Sequence, residues 1–209
     1  MVRSVVFDIG ETLVSDTRYW VGWARWLGVP THTMSALVGA VVARGRDNSD
    51  AVRVLRPGVD IAAEWRAREA AGHGEHLDET DLYPDVRPAL HRLRDAGLWV
   101  GIAGNQNAPV TGLLTGLTLP ADAIATSADW GTAKPSPEFF DRVLAWAPGD
   151  PHEILYVGDH PANDITPARA AGLRTAHLRR GHIGLTTRAP EADWTVDSLT
   201  ALADLLTGR

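Results

Sequence analysis

Short apolar runs that stop at a polar residue recur along the chain, and stretches of helical period separate them. The first run, Ser4-Val5-Val6-Phe7, is rich in β-branched and aromatic residues and ends at Asp8. An unbroken run of this kind fits a strand covered on both faces, as in a parallel sheet. Residues 98–103 repeat the pattern and halt at Gly104-Asn105; residues 154–157 repeat it again and halt at Gly158-Asp159. Weaker strands are predicted at 123–126, 174–178 and 194–196. Between them, 85–96 reads as an amphipathic helix with Val86, Leu90 and Leu93 on one face and Gly97 as its stop. Further helices are predicted over 109–117, from Ser136-Pro137-Glu138 onward, over 165–171 and over 199–206. The proline at a first turn and the glutamate near the positive end both suit a helix start. Strands alternating with helices mean βαβ units, hence an α/β fold with a doubly wound parallel sheet.

Residues 16–83 break that alternation. They carry helical spacing and no convincing strand. Over 19–27 apolar residues fall three to four apart, and Gly28 and Pro30 mark a stop. Trp20, Trp23 and Trp26 share that near-helical spacing and are expected to face a core. Over 33–43 the stripe is Met34, Leu37, Val38, Val41 and Val42, which reads as a buried helix face. Residues 44–50 read as a charged loop, and 51–55 and 61–71 as two more helical segments. His73 and His76 lie in a glycine-rich polar stretch and are read as loop residues, not as a metal pair. The expected organisation is a Rossmann-like core of 1–15 and 84–209, with an inserted all-helical cap of 16–83 over the sheet's carboxyl edge.

Composition narrows the partners. At 209 residues, the chain is long enough for one large domain with a smaller insertion. A net charge of −6 and no basic stripe argue against nucleic acid. The absence of cysteine excludes disulfides, thiolate chemistry and cysteine-based zinc sites. No run approaches the ~18 apolar residues of a membrane span, so no membrane partner is expected. The N-terminus enters a strand with no signal-peptide pattern, and a cytoplasmic location is the expectation.

The candidate chemistry gathers at strand ends. Asp8, Asn105 and Asp159 each terminate a strong strand, and in open α/β sheets that edge is where ligands bind. Lys134 stands in a loop between Ala133 and Pro135. Taken singly, Asp8 also fits a turn cap, Asp159 a helix N-cap and Lys134 a structural salt bridge. Taken in order, the motifs resemble those of the haloacid dehalogenase-like hydrolase superfamily. Phe7-Asp8-Ile9-Gly10-Glu11-Thr12-Leu13 is similar to its first motif, Ile102-Ala103-Gly104-Asn105 to its second and Lys134-Pro135 to its third. Val157-Gly158-Asp159-His160 with Asn163-Asp164 resembles the fourth, and the helical insertion resembles the family's commonest cap.

That resemblance implies Mg²⁺-dependent phosphoryl transfer on a small phosphorylated molecule. Asp8 is then the nucleophile, forming an aspartyl-phosphate that water hydrolyses. Asp8, the backbone carbonyl of Gly10, Asp159 and Asp164 would serve the metal, which favours oxygen ligands. Lys134 would neutralise charge on Asp8 and on the transferring oxygens. Gly104 would offer phosphate its backbone N–H, with Asn105 contacting the nucleophile loop. His160, beside the metal residues, is read as loop surface.

Two departures bear on activity. Where the family's phosphatases carry a general-acid aspartate two residues after the nucleophile, this chain has Gly10, which has no proton to give. Such acid help is worth ~10²–10⁴ in rate, so alkyl phosphates are expected to turn over slowly and aryl or acyl phosphates to suffer less. Glu11 is either a substitute acid or a turn residue. At Gly104 the family's Ser or Thr hydroxyl is missing. A 2-haloacid dehalogenase, whose halide leaves without a proton, is one alternative, although the acidic fourth motif is foreign to it. A catalytically weak protein of the same fold, acting in binding or regulation, is the other.

Overall fold

The computed structural model describes residues 1–208. Contacts divide them into two compact units, Asp16–His76 and the remainder. Strand β1 (Ser4–Phe7) opens the larger unit, and the smaller follows as four helices: α1 (Thr17–Leu27), α2 (Thr31–Val42), α3 (Asp50–Leu55) and α4 (Ile61–Ala70). Gly28, at φ 69°, ends α1 in the left-handed conformation that glycine adopts without strain. Asp60 caps α4 by accepting from the amides of Ala62 and Ala63. Trp20, Trp23 and Ala24 of α1 meet Met34, Val38 and Val41 of α2 and Ala51 and Val52 of α3 in one apolar core. The tryptophan spacing therefore marks a packing face. Helix α4 contributes only one buried side chain, Arg68.

The chain rejoins the larger unit at Leu77. Leu82 bridges Val14, and the Tyr83 amide donates to the Leu13 carbonyl at 3.0 Å. Residues 77–83 thus lie with the sheet unit and not with the helical insertion. The sheet unit continues through α5 (Val86–Asp95), β2 (Trp99–Gly104), α6 (Ala108–Gly116), β3 (Ala123–Thr126), α7 (Ser127–Trp130) and α8 (Pro137–Trp146). Then come β4 (Ile154–Gly158), α9 (Thr166–Ala170), β5 (Arg174–Leu178), α10 (Gly181–Gly184), β6 (Trp194–Val196) and α11 (Leu199–Thr207). A π-helical turn, Pro161–Ile165, precedes α9, where the sequence pattern suggests plain helix from 165.

All six strands are parallel, in the order β3-β2-β1-β4-β5-β6. Alternate residues of each central strand face opposite ways. Val5 and Phe7 of β1, with Val100, Ile102, Leu155 and Val157, join Leu90 and Leu93 of α5 and Leu202 of α11. Val6, Ala103, Ile154 and Tyr156 meet Phe139, Phe140 and Val143 of α8 on the other face. Both faces are covered, which is why the strands read as unbroken apolar runs. The strand order reverses between β1 and β4, so a crevice opens at their carboxyl ends. No helix of the described residues is long and apolar enough to cross a membrane.

Candidate active site

Asp8 and Asp159 follow directly on β1 and β4, one on each side of that reversal. The Asp8 amide still donates to the Val157 carbonyl at 2.9 Å, so the turn starts from a fixed position. Asp164 comes from the π-helical turn, is wholly buried and accepts the His160 amide at 2.9 Å. Two glycines make room for these carboxylates. A Cβ at Gly158 would stand 2.2 Å from Asp164 Oδ2, and one at Gly104 would stand 2.4 Å from Asp8 Oδ1. The missing side chain at 104 is therefore occupied space: a serine or threonine there would displace Asp8 from its present position. Asp8, Asp159 and Asp164 each place a carboxylate oxygen within 4.8 Å of the others.

Lys134 enters from the loop before α8. Its Nζ donates to Asp8 Oδ1 and to Asp164 Oδ1, both at 2.5 Å, and lies 5.6 Å from the Tyr156 ring centroid. Asn105 fixes the lysine's backbone from both sides. Its Oδ1 accepts the Lys134 amide at 2.7 Å, and its Nδ2 donates to the Lys134 carbonyl at 2.8 Å. The Asn105 side chain thus serves the lysine loop, where the sequence reading had it contacting the nucleophile loop. Gly104 lies at the end of β2, buried against Asp8 and Ile9.

The charges do not balance within this cluster. Three buried carboxylates are gathered with one ammonium, a formal charge of −2 for these four groups when all are ionised (three negatives and one positive). Burial pushes the Asp8 carboxyl up to about 6, with Asp164's charge adding and Lys134's opposing. Burial pulls the Lys134 ammonium down, but the charges of Asp164 and Asp8 outweigh it and hold its pKa well above the ordinary lysine value. An excess of buried negative charge is costly unless a cation joins it. The donors are all oxygens, the set that hard divalent cations such as Mg²⁺ prefer. The residues fit that ion.

A stability signature follows from Asp8. Its carboxyl binds a proton more tightly in the native state than in the unfolded chain, where it titrates near 3.8. Without metal, native stability therefore falls as pH rises from about 4 to about 6, by up to about 3 kcal/mol, and is level above that window. Denaturant titrations of the wild type and Asp8→Asn across that range isolate the effect as their difference.

Glu11 lies in the turn that follows β1. Its backbone is left-handed, φ 51°, a conformation that costs a non-glycine residue roughly 1–2 kcal/mol. The side chain is held: Tyr83 Oη donates to Glu11 Oε2 at 2.5 Å, and a Cβ on Gly181 would meet the same carboxylate. Arg180 completes the brace. Its guanidinium lies 4.2 Å from the Tyr83 ring centroid, donates to the Thr12 carbonyl at 2.9 Å and pairs with Asp85 at 2.5 Å. Tyr83→Phe is expected to destabilise the fold by about 1 kcal/mol, since a buried acceptor loses one of its hydrogen bonds. Thermal unfolding of the two proteins in parallel checks it, and an unchanged midpoint counts against the brace.

Of the sequence candidates, Asp8, Lys134, Asp159 and Asp164 come together, with Gly104 against Asp8. Gly10 follows in the turn and forms a bridge with Val14. His160 is half-buried, and its backbone amide serves Asp164. His73 lies near Trp26, at 6.0 Å between rings. Tyr156 and His177 escaped the sequence reading. Tyr156 Oη donates to the Ala103 carbonyl at 2.8 Å, tying β4 to β2 beneath the lysine. His177 Nε2 lies 3.1 Å from the Asp159 carbonyl, and burial lowers its pKa. Both sit inside apolar runs, where only a polar residue at a core position hints at a role.

A doubly wound sheet whose switch point holds clustered carboxylates and a lysine defines a class: α/β proteins with an acidic centre at the carboxyl edge. A family model for haloacid dehalogenase-like hydrolases matches residues 2–172, and the chain belongs to that family of hydrolases. It is 30% identical over 216 residues to a ribulose-1,5-bisphosphate 5-phosphatase of Halopiger xanaduensis, covering 98% of this chain and 78% of that enzyme. It is 32% identical over 148 residues to a phosphoserine phosphatase of Thermus thermophilus, covering 67% of this chain and 57% of that one. Among solved structures, the magnesium-bound HAD-hydrolase YfnB of Bacillus subtilis shares the fold, with a TM-score of 0.74 at 18% identity over 100% of this chain and 99% of that chain.

Proposed function

We propose that the protein is a phosphatase that hydrolyses small phosphorylated molecules through a covalent aspartyl-phosphate, with Mg²⁺ as cofactor. The observation that carries this reading is the net-negative buried cluster of Asp8, Asp159 and Asp164 around Lys134. The phosphatase activities of two relatives support it. Residues 16–76 serve as the cap in this reading.

Asp8 attacks phosphorus, its new O–P bond forming as the bond to the leaving oxygen breaks; water then cleaves the acyl phosphate and frees Asp8. Lys134 keeps its charge throughout and sets the Asp8 carboxylate against the entering phosphate. Asp8, Asp159, Asp164 and the Gly10 carbonyl would hold a magnesium ion, which would lower the repulsion between carboxylate and phosphate and polarise the phosphoryl oxygens. The Gly104 amide serves a phosphoryl oxygen.

Glu11 acts as a holding residue for the nucleophile turn, because its carboxylate already accepts from Tyr83 and lies close against the bare backbone of Gly181. The leaving oxygen then takes its proton from water. Substrates whose leaving group is stable as an anion turn over fastest.

The test is a panel of aryl and alkyl phosphate monoesters assayed with and without Mg²⁺. Metal-dependent release of phosphate, falling steeply as the leaving group becomes more basic, is the expected result. Halide release from a 2-haloacid without metal would replace this reading with the dehalogenase one. Metal binding with no turnover of any ester would leave a binding protein.

A further inference from the structure

Helix α4 buries one side chain, and that side chain is a cation. Arg68 keeps 3% of its surface, although arginine is almost never fully buried without a partner. Its guanidinium carbon lies 4.4 Å from the Trp23 ring centroid. One Nη stands 3.1 Å from where a Cβ would sit at Gly22, so the bare backbone of α1 leaves the planar group a slot. The indole face attracts the cation but accepts none of its in-plane N–H groups.

Among the described residues, no hydrogen-bond acceptor answers those donors. Arg68 Nε is enclosed and has no hydrogen-bond partner, and among the described residues Arg68 makes no ion pair. Glu75 is one of two acids, with Asp16, whose charge, like that of Arg68, reaches the Tyr19 hydroxyl. Glu75 Oε1 accepts from Trp65 Nε1 at 2.7 Å. Trp20, 6% exposed and in the same core as Trp23, carries a second enclosed N–H without an acceptor. An unanswered cation held rigid on an aromatic face is a preformed half of an ion pair.

We infer that Arg68 is the centre of an oxyanion-binding site in the helical unit, which takes a carboxylate or a phosphate-type group of a small molecule. The guanidinium fork matches either group with paired N–H donors. Trp23 and Gly22 fix its plane and its depth. The inference does not rest on the phosphatase reading, and no turnover enters its test.

The probe is the Arg68 Nε–H resonance of the full-length protein, assigned by its loss in Arg68→Lys. It is followed with magnesium chelated and ionic strength held constant with chloride. Acetate and sulfate are added in separate titrations. A saturable shift with acetate alone assigns a carboxylate ligand, with sulfate alone a phosphate-type ligand, and with both an oxyanion of either kind. No saturable shift with either overturns the inference. In parallel, the anion that binds is expected to raise the unfolding temperature of the wild type. Its affinity is expected to fall about tenfold or more in Arg68→Met. Should that variant fail to fold, Arg68→Lys, which keeps the charge but loses the fork, is expected to show a reduced rise. If the anion stabilises wild type and Arg68→Met alike, Arg68 merely packs Trp23 and the site does not exist.

Discussion

Asp8→Asn is expected to cut hydrolysis of aryl phosphates by about 10⁴-fold or more, the scale seen when a covalent nucleophile is removed. A carboxamide of the same shape cannot form the acyl phosphate. The surroundings have little reason to rearrange: Lys134 retains Asp164, and the strand leading into the turn is unchanged. The substitution also relieves part of the buried negative excess, so the folded state should tolerate it. Circular dichroism and thermal unfolding separate loss of chemistry from loss of structure. Activity within tenfold of wild type, in a protein verified by mass, would remove Asp8 from the chemistry.

Gly10→Asp carries the second large effect, in the opposite direction. If the leaving oxygen lacks a donor, supplying a carboxyl at position 10 should raise kcat on alkyl phosphates by about 10²–10⁴. Aryl phosphates, whose leaving groups need less help, should gain little. Gly10 is not among the glycines in the left-handed region, so an aspartate can adopt its backbone. The diagnostic quantity is the ratio of alkyl to aryl turnover, which a change in folding or in metal affinity would leave flat. A flat ratio would mean that protonation of the leaving group is not what limits the wild type.

The sheet was legible because its strands are covered on both faces. Runs such as 4–7 and 154–157 have no reading that is both short and solvent-exposed, and the polar residue ending each run marks the sheet edge. The one-turn helices Ser127–Trp130 and Gly181–Gly184 were not legible, since four residues are too few to establish a period. The return of 77–83 to the sheet unit was hidden for another reason. A bridge between Val14 and Leu82 is a long-range pairing that local composition does not signal. At the site, Asp8 and Asp159 were legible as charges at strand ends, whereas Lys134 and Asp164, in a loop and a π-helical turn, stood out only through the resemblance of the ordered motifs. The engagement of Glu11 by Tyr83 required knowing that two residues 72 apart in the chain meet. Asn105 was visible as a polar strand end, but its partner, the backbone of Lys134, was not.

Asp85 Oδ2 accepts from Arg180 and also from the Leu199 amide at the first turn of α11. One oxygen thus yokes the last helix to the residue that steadies the carbonyl of Thr12. Both Arg180 and α11 lie beyond residue 172, where the family match ends. The segment beyond residue 172 therefore shares in the suspension of the turn after β1: removing α11 would take one anchor from Asp85 and is expected to slacken a loop nearly two hundred residues upstream.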